Sequence, residues 1–158
     1  MKFRPTCPKE DSIIAEHFYQ MWQDIGIPAE QIKPDWRALT VEYITEARAR
    51  LDFQSFVAEA ADGRLVGSAS CQKFAGLYPL ILESSHHLRG YIWGVYVEAE
   101  YRQQGIGRQL TAMAVEHLCR IGCTHALLNA APMGQSVYKR LGFEPANQMT
   151  LDLTKPST

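Results

Sequence analysis

Residues 102–108 read Arg102-Gln103-Gln104-Gly105-Ile106-Gly107-Arg108, and their types and spacing suit the capture of an anion. Gly105 and Gly107 carry no Cβ, so a phosphate can come close to the backbone. A stretch with helical periodicity follows directly. The first N–H groups of a helix have no partner inside it, and its dipole favours negative charge at that end. Arg102 and Arg108 add positive charge at either end of the motif. The chemistry predicted is a pyrophosphate cradle. Two well-known cradles are excluded by the spelling. A P-loop requires G-x-x-x-x-G-K-[ST], and no Gly-Lys pair followed by Ser or Thr occurs in the chain. A dinucleotide fingerprint requires G-x-G-x-x-G, and Leu110 stands where its third glycine belongs.

Such a motif works only if its flanks hold it in place. Before it runs Tyr91-Ile92-Trp93-Gly94-Val95-Tyr96-Val97, an aromatic and β-branched series suited to a largely buried strand. After it, Ile106, Leu110, Met113, Ala114, Leu118 and Ile121 recur at helical spacing over residues 105–121, and Gly122 is placed to cap the helix. Nearer the C-terminus stands Tyr138-Lys139-Arg140-Leu141-Gly142-Phe143. In the R-x-x-G-x-G motif after its strand, together with this second segment, the sequence resembles the GNAT superfamily of N-acetyltransferases. The acetyl-CoA pyrophosphate loop of that family reads [QR]-x-x-G-x-[GA].

The remaining elements are read from pattern. Residues 2–6 suit an edge strand stopped by Pro5 and Pro8. Asp11 or Ser12 can cap a helix to Asp24 whose apolar face is Ile13, Ile14, Phe18, Met21 and Trp22. A second helix is expected over 34–51. Strands are expected over 53–60 and 65–74, joined at Asp62-Gly63, a hairpin signal. The connection at 75–88 reads either as a functional loop or as a solvated one. A short strand at 124–128, a helix at 132–140 and a last strand at 149–153 complete the order. That order is the GNAT order. The resemblance therefore implies an α/β (α+β) fold with a mixed, mostly antiparallel central sheet, flanked by helices and splayed at the central strand. One domain over 1–158 is expected, with 154–158 a loose tail.

The resemblance also implies roles. Backbone N–H groups of Gln103, Gln104, Gly105, Ile106, Gly107 and Arg108, beside Arg102, would hold the pyrophosphate, and the backbone of Val95, Tyr96 and Val97 would pair with the pantetheine amides. The thioester carbonyl would be polarised by an N–H freed where the central strand bulges. Gly94 inside an aromatic run is either that bulge or a point of close packing. Tyr138 falls on the tyrosine that protonates the departing CoA thiolate in many members. Its phenol, with an ordinary pKa of about 10, lies within reach of a thiol leaving group. Trp93 and Tyr96 would shape the acceptor pocket. The base is left open among Glu59, Glu83, His86, His87 and Glu98. Where many members carry an asparagine that contacts CoA, this chain has Ala131, with Asn129 as the nearby substitute.

Composition narrows the partners. The formal net charge of -1 gives no overall attraction to nucleic acid or to an anionic membrane. No apolar run has the length of a bilayer crossing, and the N-terminal residues lack a signal-peptide design, so the cytoplasm is expected. Four cysteines in 158 residues make no disulfide framework. Cys7, Cys71 and Cys119 read as small hydrophobes. His117, Cys119, Cys123 and His125 match no usual zinc spacing, so no metal is expected. The sequence thus predicts an acetyl-CoA-dependent N-acetyltransferase acting on a primary amine of a small molecule or peptide. The rival reading is an acetyl-CoA-binding sensor or assembly module without turnover. Dimerisation, common in the family, is open.

Overall fold

The computed structural model describes residues 1–154. Five strands form one sheet in sequential order: β1 (Lys2–Pro5), β2 (Gln54–Glu59), β3 (Leu65–Lys73), β4 (Arg89–Val97) and β5 (His125–Leu128). Each neighbouring pair from β1 to β4 is antiparallel, while β4 and β5 are parallel. The sheet is mixed and mostly antiparallel. Its helices are α1 (Asp11–Asp24), α2 (Trp36–Arg50), α3 (Ile106–Arg120) and α4 (Gln135–Arg140). The β2–β3 turn closes at Gly63, where φ is +85°. The end of α3 is sealed by Gly122, at φ +86°, with Cys123 N–H donating back to the Leu118 carbonyl.

The two faces of the sheet are covered differently. On one, Phe56, Ala58, Ala69, Cys71 and Ile92 meet Ile106, Leu110, Ala114 and Leu118 of α3 in an apolar core. Helices α1 and α2 cover the other face, where Ile14, Ile44 and Ala47 meet Phe53, Val57 and Trp93. On β3 this second face is polar. Ser68 Oγ lies 2.9 Å from His17 Nδ1, and Ser70 Oγ lies 2.6 Å from Ser55 Oγ. Gln72 reaches Tyr43 of α2. Every buried side-chain nitrogen and oxygen among the described residues finds a partner, as burial in a low-dielectric interior demands.

Four expectations change. Asp11 does not cap α1; its carboxylate is buried and gripped at 2.7 and 2.8 Å by both terminal nitrogens of Arg48. Cys7 and Cys119 are exposed, and only Cys71 is fully buried, its thiol pushed up to about 12 by desolvation. The 75–88 connection is less polar than its histidines and serines suggest, for Leu77, Tyr78, Leu80, Ile81 and Leu82 all stand in solvent. Finally, residues 149–153 form no strand. Met149, Leu151 and Leu153 are 93%, 80% and 86% exposed. Their alternation has the period of a strand but faces no partner strand, and a strand without a ladder leaves its backbone to water. The predicted loose tail falls, beyond Thr154, outside the described residues.

Candidate active site

Two local irregularities make β4 the centre of the site. Along the β3 side, Ser70 pairs with Trp93 and Ser68 with Tyr96. Two steps on β3 therefore face three on β4, and the extra residue is taken up at Gly94, whose φ is +60°. This is a β-bulge, and it reverses the facing of the residues beyond it. Trp93 lies on the α1/α2 face and Gly94 lies under Phe18. Val95 and Val97 pack on the α3 side, and Tyr96 returns to His17 on the α1 side at a ring distance of 5.1 Å. On the other edge, pairing with β5 stops at Ile92–Leu128. Beyond Ile92, where β5 ends at Leu128, no strand pairs with β4 on that side among the described residues.

The 102–108 motif begins just past the end of β4. Gly105 is the N-cap residue of α3, left-handed at φ +80°, and Gln103 is also left-handed at φ +60°. No backbone or side-chain acceptor within the described residues takes the N–H of Gln103, Gln104, Gly105, Ile106, Gly107 or Arg108; the first helical bond is donated by Gln109 to Gly105. A Cβ placed on Gly105 would meet nothing within 4 Å. Ile106, buried in the α3 core, anchors this row of donors. The arrangement fits a diphosphate, and with the unpaired edge of β4 it fits the extended arm of acetyl-CoA.

Arg102 is placed differently from its neighbours. Its Nε donates to the Val97 carbonyl at 2.8 Å and a terminal nitrogen pairs with Asp24 at the end of α1. It thus ties the end of β4 to α1, while Arg108 is exposed and free of ion pairs among the described residues. Tyr138 sits on α4, which packs against α3. Its ring lies over Gly134 and edge-on to Phe143 at 6.0 Å. Its hydroxyl has no hydrogen-bond partner among the described residues, and burial raises its pKa. No hydrogen bond or ring contact joins Tyr138 to residues 102–108 among the described residues.

The candidate bases do not converge. Glu59 is bonded to Arg4 at 2.7 Å, and Glu98 pairs with Arg64 at 3.6 Å. Glu83, His86 and His87 precede β4, at the end away from the cradle. His117 donates through Nε2 to the Asp52 carbonyl and accepts from Arg120, and no His, Cys, Asp or Glu grouping able to hold a metal occurs among the described residues. A recess of about 560 Å³ opens instead on the flank of α1, between Ser12, Arg37 and Glu100. Its carboxylates are already paired, Glu16 with Arg37, and Glu98 and Glu100 with Arg64.

What the linear pattern did not show is the support beneath Trp93. Its Nε1–H donates at 3.1 Å to Gln72 Oε1, and Gln72 Nε2 donates at 2.7 Å to the Tyr43 hydroxyl. The only sequence signal was the alternation of Ser68, Ser70 and Gln72 with Ala69 and Cys71 along β3.

The chain matches the model of the Acetyltransferase (GNAT) family over residues 15–143, and it belongs to that family. It is an acyltransferase of a group whose cosubstrate is acetyl-CoA. Among solved structures, a GCN5-related N-acetyltransferase from Ralstonia eutropha JMP134 aligns with a TM-score of 0.79 at 22% identity, covering 98% of this chain and 99% of that one. A predicted acetyltransferase from Clostridium acetobutylicum, solved with acetyl-CoA, aligns at 0.81 and 21% identity over 97% and 96%. AAC(6')-Iy in complex with the bisubstrate analogue CoA-S-monomethyl-acetylneamine aligns at 0.68 and 22% identity over 98% of both chains. At such identities these likenesses establish the fold. No curated protein matches the chain by sequence. No described helix is long and apolar enough to cross a membrane.

Proposed function

We propose that the protein is an N-acetyltransferase, a single domain that moves an acetyl group from acetyl-CoA to a primary amine of a small molecule or peptide by direct attack. The observation that carries this is the adjacency of three features along and just past one strand: the bulge at Gly94, the unpaired β5 side beyond Ile92, and the unpartnered N–H row of residues 103–108. Acetyl-CoA supplies an activated acyl group: a C–N bond to the amine forms as the C–S bond breaks. The donors from Gln103 to Arg108 hold the diphosphate, and Arg102 serves them by fixing the end of β4. Val95, Tyr96 and Val97 offer backbone groups to the pantetheine arm. An N–H freed at the bulge polarises the carbonyl. Tyr138, kept protonated by burial, gives its Oη proton to the departing sulfur. The amine's own proton passes to water, since Glu59 and Glu98 are paired with arginines and Glu83, His86 and His87 precede β4. Four free thiols suit a reducing cytoplasm.

The test pairs calorimetric titration of acetyl-CoA and CoA with amine-dependent thiol release, for the wild type and Tyr138→Phe. Binding of both ligands with turnover reduced in Tyr138→Phe by about 10²–10⁴-fold is expected, the range for loss of a positioned proton donor. Unchanged turnover in Tyr138→Phe would remove the tyrosine from the mechanism. Binding with no turnover of any amine would favour the sensor reading.

A further inference from the structure

The wall built around Trp93 specifies more than a generic amine. We propose that the acceptor is an arylalkylamine: a primary amine carried on a flat, uncharged aromatic body that lies against Trp93, where a ring hydroxyl such as that of tyramine takes a hydrogen bond from the Tyr43 hydroxyl. This rests on the acetyltransferase reading above. The bond exchange is the one given there, C–N for C–S, with the sulfur leaving as a thiol.

Position comes first. Trp93 immediately precedes Gly94, so its side chain stands about one residue's rise, roughly 3.3 Å of strand, from the bulge. It lies on the face covered by α1 and α2. Phe18 meets it edge-on at 5.1 Å, Tyr43 edge-on at 5.7 Å, and Phe53 at 6.0 Å. Trp22 extends the set from Phe18, edge-on at 5.9 Å and in part open to solvent. On the same strand, Tyr91 packs on Phe74 at 5.8 Å, and past Phe74 comes the exposed apolar run at Leu77, Tyr78, Leu80, Ile81 and Leu82. Rings at an open surface gain most from a ligand that buries them in edge-to-face or offset contact.

Polarity comes second. A tryptophan N–H can only donate, so Gln72 must turn its oxygen to Trp93 and its nitrogen to Tyr43. Gln72 is 4% exposed and has both ends used. Tyr43 receives a proton from Gln72, so its own hydroxyl hydrogen points elsewhere. It finds no acceptor among the described residues, and the side chain is 49% exposed. The relay therefore holds the indole in place and aims one neutral donor outward from beside it.

Charge decides between amine classes. The groups that touch Trp93 are rings, aliphatic side chains and an amide, all uncharged. Asp11, Glu16 and Asp24 on α1 are each paired with an arginine. Glu42 and Glu46 flank Tyr43 along α2 but are exposed and hydrogen-bond to no member of the set. A polyamine or aminoglycoside carries several ammonium groups, each needing a carboxylate in exchange for water. An arylalkylamine carries one, and as the free base it carries none.

The experiment measures thiol release with acetyl-CoA and tyramine, tryptamine or phenethylamine against spermidine and kanamycin. It adds calorimetric binding of tyramine to the CoA-loaded protein. We expect kcat/KM for the aryl amines to exceed that for the polycations by at least about tenfold, as one well-filled apolar contact allows. Trp93→Leu should raise the aryl KM by about 10–100-fold with a smaller change in kcat. Tyr43→Phe, which keeps the ring and removes only the hydroxyl, should weaken tyramine binding several-fold and leave acetyl-CoA binding unchanged. Preference for spermidine or kanamycin, or aryl turnover indifferent to both substitutions, would overturn the proposal while the acetyltransferase reading stands. If acetyl-CoA does not bind, or it binds and neither amine class reacts, that reading fails and this one with it.

Discussion

Gly94 offers the sharpest test of the architecture. Its φ of +60° is a left-handed conformation, which costs an L-residue about 1–2 kcal/mol. An alanine Cβ built there would meet Phe18 Cδ2 at 3.5 Å, an ordinary contact. Space is therefore sufficient, and conformational strain is the whole cost of Gly94→Ala. The strand cannot shed that strain cheaply by losing its bulge. A one-residue shift would turn Val95 and Val97 out of the α3 core and drive Tyr96 into it. In a domain of this size each 1 kcal/mol moves Tm by about 2–4 °C, so Gly94→Ala should lower Tm by about 2–8 °C. Gly94→Asn should fall at the mild end, because asparagine tolerates the left-handed region. Gly94→Val, β-branched, should fall at the severe end. Differential scanning calorimetry on the four proteins reads the order directly: glycine, asparagine, alanine, valine. A valine variant as stable as the wild type would refute the reasoning, for it would mean that no positive φ is enforced at this position.

Two further outcomes rest on single side chains. Gly107 lies in the first turn of α3, and a Cβ there would approach nothing closer than Val97 Cγ2 at 3.7 Å. Gly107→Ala should stabilise the protein by about 0.5–1 kcal/mol through the lower backbone entropy of the unfolded chain, read as a higher Tm with acetyl-CoA binding retained. His17 is buried between Ser68 and the Leu65 backbone, and desolvation holds its imidazole below the ordinary histidine value. A lowered folded pKa means that the unfolded chain binds the proton first. Its contribution is complete above the unfolded value of about 6.5 and is lost as pH falls from there toward the folded value. Tm should therefore decline between pH 7 and pH 5 more steeply in the wild type than in His17→Gln; equal slopes would assign the decline to other groups.

Much of this molecule is local, and what is local can be read from the chain. Asp62-Gly63, Gly94, Gly105 and Gly122 each mark a place where the backbone must take a positive φ or admit an insertion, and a glycine among bulky neighbours announces it. The periodicity of α3 and the aromatic run of β4 do the same for the elements beside the cradle. What the sequence hides is who finds whom. Arg102 looks like a phosphate ligand by spacing, but Asp24, seventy-eight residues earlier, takes its charge. Asp11 has the residue type of a helix cap, yet Arg48 on the next helix claims it. Residues 149–153 carry a strand's alternation, and alternation does not supply a neighbour to pair with. The Trp93–Gln72–Tyr43 relay draws on β4, β3 and α2, and no window of sequence contains all three.

The unlike faces of the sheet imply two kinds of cohesion within one molecule. Against α3 the contacts are apolar and isotropic, so volume is the quantity that must be kept and one hydrocarbon can stand in for another. Under α1 and α2, the serines of β2 and β3, His17 and Gln72 are held by bonds with direction, where a missing partner leaves a buried dipole unanswered whatever shape replaces it. Drift in sequence will therefore be absorbed on the first face and felt on the second. The rigid face is the one that carries Trp93, so the side proposed for the acceptor is held by angles, and the side proposed for the diphosphate by fit.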